Sequence, residues 1–285
     1  MRLLMKYSRY LALLMILLLG SQLDAQTSRA YPFAAKLYPN RILSKVVSPP
    51  KGYNRAPEEK LNDFQYWIVN LPMLLPEYPV TTYEGQKLFG ADSTNGIINF
   101  DVSTPQQRNA DIPIQLVAVY LLIKDSLGDH PFIVRDNDTI TYGKFLSGNY
   151  ILDSHRKMKY VPGEKRDSSN VEFSRFLQLT MGYTNNRTLL NNLEPIEEKD
   201  IAPGTFYVQF QNPPPDTIGH TAVILDVCYG PKGDKKVLAG WGGDPAHLFY
   251  VARPLPPSEK QWFSIPELKK FLAEYGEGKF YRFKM

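Results

Sequence analysis

The chain has 285 residues, of which 43% are hydrophobic and 22% are charged, and its formal net charge is +4. This composition is typical of a globular protein and excludes collagen-like, coiled-coil and wholly disordered chains. The small positive charge is not gathered into a stripe of Lys and Arg, so we expect no binding to nucleic acid. The single cysteine, Cys228, excludes an internal disulfide and is expected to be a small buried hydrophobic residue.

The first 25 residues are predicted to be a secretory signal peptide. Basic residues precede an apolar run over 11–19, which is too short to span a bilayer, and cleavage is expected after Ala25. We therefore expect a periplasmic or secreted protein without a stable membrane anchor after cleavage; an uncleaved signal anchor is the alternative. The polar residues 26–45 are interpreted as a linker, and 46–285 as a single domain.

The first half of the domain is expected to build its centre. Spacing of apolar residues predicts a short amphipathic helix over 63–69, and strands are predicted over 80–83 and 96–102. A longer helix is predicted over 104–127; from Leu116 to Ile123 it is apolar on all sides, so it is expected to be the buried central helix of the domain. Pro113 is expected to bend the first half of this helix.

The second half is expected to supply most of the sheet. Short strands are predicted over 132–134 and 139–142, a loop over 157–168, and a capped helix over 169–182. Further strands are predicted over 206–210, 221–228, 236–240 and 248–252, followed by a capped helix from Ser264 to Gly276 and an edge strand over 279–283. The predicted fold class is α+β, with an antiparallel sheet packed on a buried central helix.

Several blocks of the sequence resemble a known family. They are 51–53, 63–73, 80–85, Gln106-Gln107 with Ala110-Asp111, 142–148 and the Gly-His strand over 219–227. In these blocks the chain is similar to the bacterial domain-of-unknown-function 4846 proteins, over roughly 45–285. That family has no established activity, so the resemblance implies an architecture and a compartment. The chain departs from the family at 204–207 and at 240–246.

The order of elements also resembles the NlpC-type, papain-like cell-wall peptidases. The shared parts are a capped helix, a Pro-Gly strand entry and a Gly-His at a strand start. Those enzymes place a nucleophilic Cys at the helix N-terminus. Here Phe173 stands near that place, and Ser174 is the nearby hydroxyl without a close base. The sequence therefore excludes a working cysteine peptidase and implies a pseudoenzyme on an NlpC-like scaffold.

The candidate site is the end of the sheet where the 220–228 strand meets the 240–247 loop. If the hairpin turn over 229–234 pairs Cys228 with Lys235, the antiparallel ladder places His220 opposite Gly243, one residue from Asp244. His220 and Asp244 are the candidate catalytic residues. The candidate binding residues are Trp241, Gly242, Gly243 and His247. His220, Asp244 and His247 do not have the spacing of an established metal motif, so no metal and no cofactor is expected. A structural histidine that donates to a backbone carbonyl is the competing interpretation of His220.

Two function hypotheses remain open. The first is an exported envelope protein, non-catalytic, that binds cell-wall glycan, peptide or a protein partner. The second is a cell-envelope hydrolase that uses His220 with a partner other than Cys or with a metal. Loss of the nucleophile favours the first, because the site and not the fold decides function.

Overall fold

The computed structural model describes residues 37–38, 40–100, 108–210, 219–254 and 260–285. Within them the α+β class is confirmed, with seven α-helices and a nine-stranded antiparallel sheet. The helices are α1 Leu43–Val46, α2 Asp63–Val69, α3 Asp111–Ile123, α4 Tyr142–Leu146, α5 Asn170–Gly182, α6 Asn186–Leu189 and α7 Ile265–Phe271. The strands are β1 Asn54–Arg55, β2 Val80–Thr81, β3 Lys87–Phe89, β4 Gly96–Ile97, β5 Phe132–Ile133, β6 Thr139–Ile140, β7 Gly148–Leu152, β8 Met158–Pro162, β9 Leu193–Pro195, β10 Phe206–Phe210, β11 Thr221–Tyr229, β12 Lys235–Trp241, β13 Tyr250–Val251, β14 Phe263–Ser264 and β15 Glu277–Phe283.

The main sheet is built around the hairpin of β11 and β12. Its strands run in the order β4, β13, β12, β11, β10, β15, β9, while β1 pairs with β11 and β14 pairs with β12. Three separate hairpins join β2 to β3, β5 to β6, and β7 to β8. The strands predicted from 206 onwards therefore belong to one sheet, as the run of strands after the helices indicated, whereas those predicted over 132–134 and 139–142 form a separate hairpin.

Helices cover both faces of this sheet, which explains why β11 is apolar nearly throughout. Val223 and Leu225 belong to one core cluster with the residues of α3 and α5. Ala222 and Ile224 belong to a second cluster, which contains Leu268 of α7. Because successive side chains of a strand point to opposite faces, both sets of positions must be hydrophobic. The central helix α3 is buried on every side over its first nine residues, as its sequence predicts.

A β-bulge changes the face to which the second half of β11 points. Ile224 pairs with Ala239, but Asp226 pairs with Leu238, so the register shifts between them. Beyond the bulge Val227 joins the cluster of Ala222, and Cys228 joins that of Val223. Asp226 therefore leaves the face shared by His220 and Ala222, where uninterrupted alternation would have placed it.

The structure corrects the expectations about the central helix and the linker. Helix α3 begins at Asp111, so Pro113 lies in its first turn, where no hydrogen bond is lost and no bend follows. The predicted capping residues before it lie outside the described residues. Leu43 of α1 is fully buried in the core, so the folded region begins within the predicted linker.

Two further expectations about strands are wrong. The charged segment predicted as a loop contains β8, which pairs with β7 along five residues. The last strand, β15, is not an edge strand, because it lies between β10 and β9. Charged and exposed residues concealed β8, since an exposed hairpin buries little on either face.

Two of the predicted helix starts are confirmed, at Ser169 and at Ser264. The Ser169 side chain accepts from Glu172 N at the start of α5, and Ser264 and Glu267 form a reciprocal capping box at the start of α7. Among the described residues no helix is both long and apolar enough to cross a bilayer. The predicted signal peptide lies outside the described residues.

Candidate functional site

His220 is enclosed at the end of the sheet, just before β11. It is 2% exposed, and its ring stacks on Tyr275 at 4.5 Å and meets Trp241 edge-on at 5.1 Å. Gln209 N donates to His220 O at 2.8 Å, and Gln209 Nε2 donates to two carbonyls of the segment that carries Tyr275. The ring is therefore held by aromatic packing. Its Nε2 is buried and makes no hydrogen bond in the described part of the chain, so the expected bond to a carbonyl is not observed at this atom.

At this end of the sheet β11 pairs with β12 in the predicted register, although the pairing beside the turn differs by one residue. Tyr229 pairs with Lys235, one residue away from the predicted pair of Cys228 with Lys235, and the bulge then restores the expected register at Val223 and Gly240. Continuing this ladder places His220 opposite Gly243. The bulge explains how a wrong pairing at the turn gives the correct pairing at the far end.

Close packing gives Gly242 and Gly243 a structural role. A Cβ at Gly243 would lie 2.0 Å from His247 Nε2, and a Cβ at Gly242 would lie 3.2 Å from Ile112 of α3. His247 is 8% exposed, and its Nδ1 bonds to Leu248 O at 2.9 Å. The glycines therefore let the loop lie directly against a ring and against the central helix, as their sequence pattern indicated.

Asp244 is not joined to His220. Its side chain is 68% exposed, and its Oδ2 lies 3.9 Å from Arg108 Nε. Among the described residues it makes no hydrogen bond or ion pair with either histidine. An exposed carboxylate at this distance from an exposed guanidinium contributes little to stability and does not orient an imidazole. The structure brings five of the six candidate residues together and leaves Asp244 at the surface.

Burial dominates the electrostatics of the two histidines. Burial, followed by the nearby charge of His247, lowers the pKa of His220 to about 3. Burial also lowers the pKa of His247. Both rings are neutral at pH 7, and within the described part of the chain neither has a carboxylate partner that would make it a general base poised near neutrality. Trp241 is 6% exposed, so its face is occupied by protein and not offered to a sugar or a peptide.

The helix that the peptidase resemblance pointed to is also occupied by packing. Phe173 of α5 is buried against Tyr142, with ring centroids 6.0 Å apart. Ser174 is exposed on the same helix. No described contact brings this hydroxyl to a histidine, and a serine without a base is inert.

A cleft of about 730 Å³ opens on one edge of β11. This edge pairs with β10 near Val223 and with β1 near Cys228, which leaves a gap between the two partner strands. Asp226 and Arg55 line the gap and form an ion pair, with Nε 2.5 Å from Oδ2. Neither this cleft nor its neighbour of about 560 Å³, which shares Gln65, is lined by His220.

The ion pair at this cleft is an internal feature of the fold. The Asp226 side chain is 2% exposed, and burial raises its pKa against the opposing effect of Arg55. Sequence reasoning did not single out Arg55. The available signal was an aspartate inside an apolar strand, because a buried carboxylate requires a cationic or hydrogen-bonding partner.

A comparison with family models gives one match. The family described as Domain of unknown function (4846) matches residues 43–284. The chain belongs to this family. Neither the curated proteins nor the solved structures gave a match. The similarity to NlpC-type peptidases therefore stays a prediction.

In this member of the 4846 family, two of the blocks that carry the resemblance meet at the larger cleft. Gln65, Val69 and Asn70 come from the 63–73 block, and Asp226 and Val227 come from the Gly-His strand. His220 directly precedes β11 and Asp226 lies within it, but their side chains have different surroundings because the bulge turns them to opposite faces. The cleft is thus a second candidate site that unites distant parts of the sequence.

Proposed function

We propose that the protein is an exported, non-catalytic binding protein of the bacterial cell envelope, with its ligand in the cleft beside Arg55 and Asp226. The observation that carries this proposal is the contrast between the two candidate sites. The cleft has the size of a small-molecule site and combines apolar walls with a few polar groups. The His220 ring is enclosed, and no carboxylate or nucleophile of the described residues contacts it. Cell-wall glycan or peptide is the proposed ligand in that compartment.

Binding to purified peptidoglycan sacculi tests this proposal. Ala56 lines the cleft, and Ala56→Trp would fill it with a large side chain. Ala273 is exposed and lies outside the cleft lining, so Ala273→Trp is the matched control. We expect wild type and Ala273→Trp to sediment with sacculi, Ala56→Trp to remain in solution, and no soluble fragments to be released. Equal sedimentation of all three proteins would contradict the proposal.

A hydrolase that uses His220 is the second candidate. It is favoured by one observation: among the described residues His220 Nε2 has no hydrogen-bond partner, and His247 lies near enough to influence its charge. An unpaired imidazole nitrogen can accept a proton or bind a metal. Release of soluble fragments by the wild type that is lost in His220→Ala would support this candidate, and sensitivity to a chelator would separate a metal-dependent reaction from a metal-free one.

A further inference from the structure

We propose that the cleft recognises the free carboxylate end of a short peptide with small apolar side chains, and that Arg55 is the principal donor to this carboxylate. This inference rests on the proposed function, because it assigns a ligand class to the same cleft. It follows from the way in which Arg55 is held, from the charges around it and from the character of the walls.

Arg55 is fixed in place with part of its guanidinium unused. Nε bonds to Asp226 Oδ2 at 2.5 Å, Nη2 donates to Val47 O, and Cζ lies 5.6 Å from the centre of the Trp262 ring. Nη1 makes no hydrogen bond to any residue that the structure describes. The Arg55 side chain is 23% exposed and lines the cleft. A guanidinium held in this way offers donors without losing further side-chain entropy on binding.

A second cationic side chain, that of Lys60, lines the same cleft. Asp226 already balances the charge of Arg55, so a bound carboxylate requires another positive group. Lys60 lines the cleft and is exposed, and its ammonium group has no ion pair or hydrogen bond within the described residues. Lys199 also lines it but is paired with Glu197 at 2.6 Å. Lys60 is therefore the cation available to complete the site.

The remaining lining favours a peptide over a simple anion. The walls are small and apolar, and they include Ala56, Pro57, Leu61, Val69, Ala202 and Pro203. Glu58 and Asp200 line the same cleft and are exposed. These acids disfavour a ligand with only negative charge and favour one that also carries an ammonium group. A short zwitterionic peptide satisfies both sets of charges.

This inference is tested by titrating the mature protein with Ala-Ala and measuring binding by NMR chemical shifts or by calorimetry. The comparison ligands are Ala-Ala amide, which lacks the carboxylate, and propionate, which keeps the carboxylate without the peptide. We expect the amide and propionate to bind about ten- to a hundredfold more weakly than Ala-Ala, the effect of losing a hydrogen bond to a charged group. Equal binding of the amide would overturn the role of the carboxylate, and equal binding of propionate would overturn the assignment to peptides.

Variants assign the effect to the named residues. Arg55→Lys keeps the charge but removes Nη1, and it should weaken Ala-Ala binding about tenfold or more. Lys60→Met changes an exposed side chain and tests the site even if Arg55→Lys unfolds; it should weaken binding severalfold. Lys159→Met, exposed on β8, is its matched control and should bind as wild type. The inference would be refuted if Lys60→Met bound Ala-Ala as wild type does and if Arg55→Lys were folded and also bound Ala-Ala with wild-type affinity.

The two experiments distinguish failure of the peptide assignment from failure of the proposed function. If sacculi bind in a manner blocked by Ala56→Trp but Ala-Ala binding is absent or insensitive to Arg55→Lys, the cleft is a binding site for another class of ligand. If the sacculi do not bind and Ala-Ala does not bind, both proposals are wrong.

Discussion

Replacing His220 by Phe should stabilise the protein at low pH relative to the wild type. The ring is enclosed between Tyr275 and Trp241, and its Nε2 has no partner, so an apolar ring loses no described hydrogen bond there. Replacing a polar group that lacks a buried partner by an apolar group of similar shape is close to neutral. At pH 8 we therefore expect the two proteins to differ by less than about 1 kcal/mol in free energy of unfolding.

The sign of the pH effect follows from the direction of the pKa shift. The pKa of His220 falls from 6.5 to about 3 on folding, so below pH 6.5 the unfolded chain binds a proton that the folded protein does not. Protonation thus favours unfolding, and the stability lost is about 1.4 kcal/mol for each pH unit below 6.5 until the folded pKa is reached. At pH 5 the wild type should have lost about 2 kcal/mol that His220→Phe retains.

Urea denaturation followed by tryptophan fluorescence at pH 8, 6 and 5 measures this difference. Subtracting the free energy of unfolding of the variant from that of the wild type removes the contribution of the carboxylates, because these titrate in both proteins. Tyr275→Phe keeps the stacked ring and the histidine, so it should retain the wild-type dependence on pH. If the difference in free energy of unfolding between wild type and His220→Phe stayed constant from pH 8 to pH 5, the reasoning would be refuted. A loss of several kcal/mol in His220→Phe at pH 8 would show that the ring makes an essential polar contact.

Three further predictions concern stability and one concerns export. Asp226→Asn should lower the free energy of unfolding by about 3 kcal/mol in urea denaturation, since it leaves the partly buried Arg55 without its charge partner; a loss below about 1 kcal/mol would contradict this account. Gly243→Ala should cost about 1–3 kcal/mol, measured in the same way, because its Cβ would meet the His247 ring at 2.0 Å. Ser264→Ala should cost about 1 kcal/mol through loss of the capping box, and thermal denaturation beside wild type would detect it. N-terminal sequencing of the exported protein should begin at or near Gln26, whereas an intact chain in the membrane fraction would indicate an uncleaved anchor.

Local sequence signals determined much of the fold. The helix starts at Ser169 and Ser264 were predicted because a cap is decided by side chains within three residues of each other. The strands of the second half were found because their apolar runs are bounded by turn residues. The central helix was recognised from apolar residues on every side, although its first residue was placed too early because capping residues were inferred from sequence alone.

The histidine end of the sheet was predicted in part. The predicted pairing of β11 with β12 places His220 opposite Gly243, and it is correct at Val223 and Gly240 because the bulge offsets the one-residue error at the turn. The same ladder did not specify the direction in which Asp244 points, which depends on Arg108 and on the loop conformation. Tyr275, which covers the ring, comes from the far end of the chain and has no local signal near His220.

What the sequence by itself determined is therefore the longer helices and the run of strands from β10 to β13, while the tertiary structure decided the remaining strand pairs and which side chains meet. The bulge in β11 is the clearest case. Both faces of this strand are buried, so every position from Ala222 to Cys228 is apolar except Asp226, and the hydrophobic pattern does not mark where an extra residue reverses the alternation. The bulge turns Asp226 towards Arg55, 171 residues away in the sequence, and places a paired charge at the cleft. Contacts across that separation depend on the packing of the whole domain, because no local rule of spacing relates the two residues.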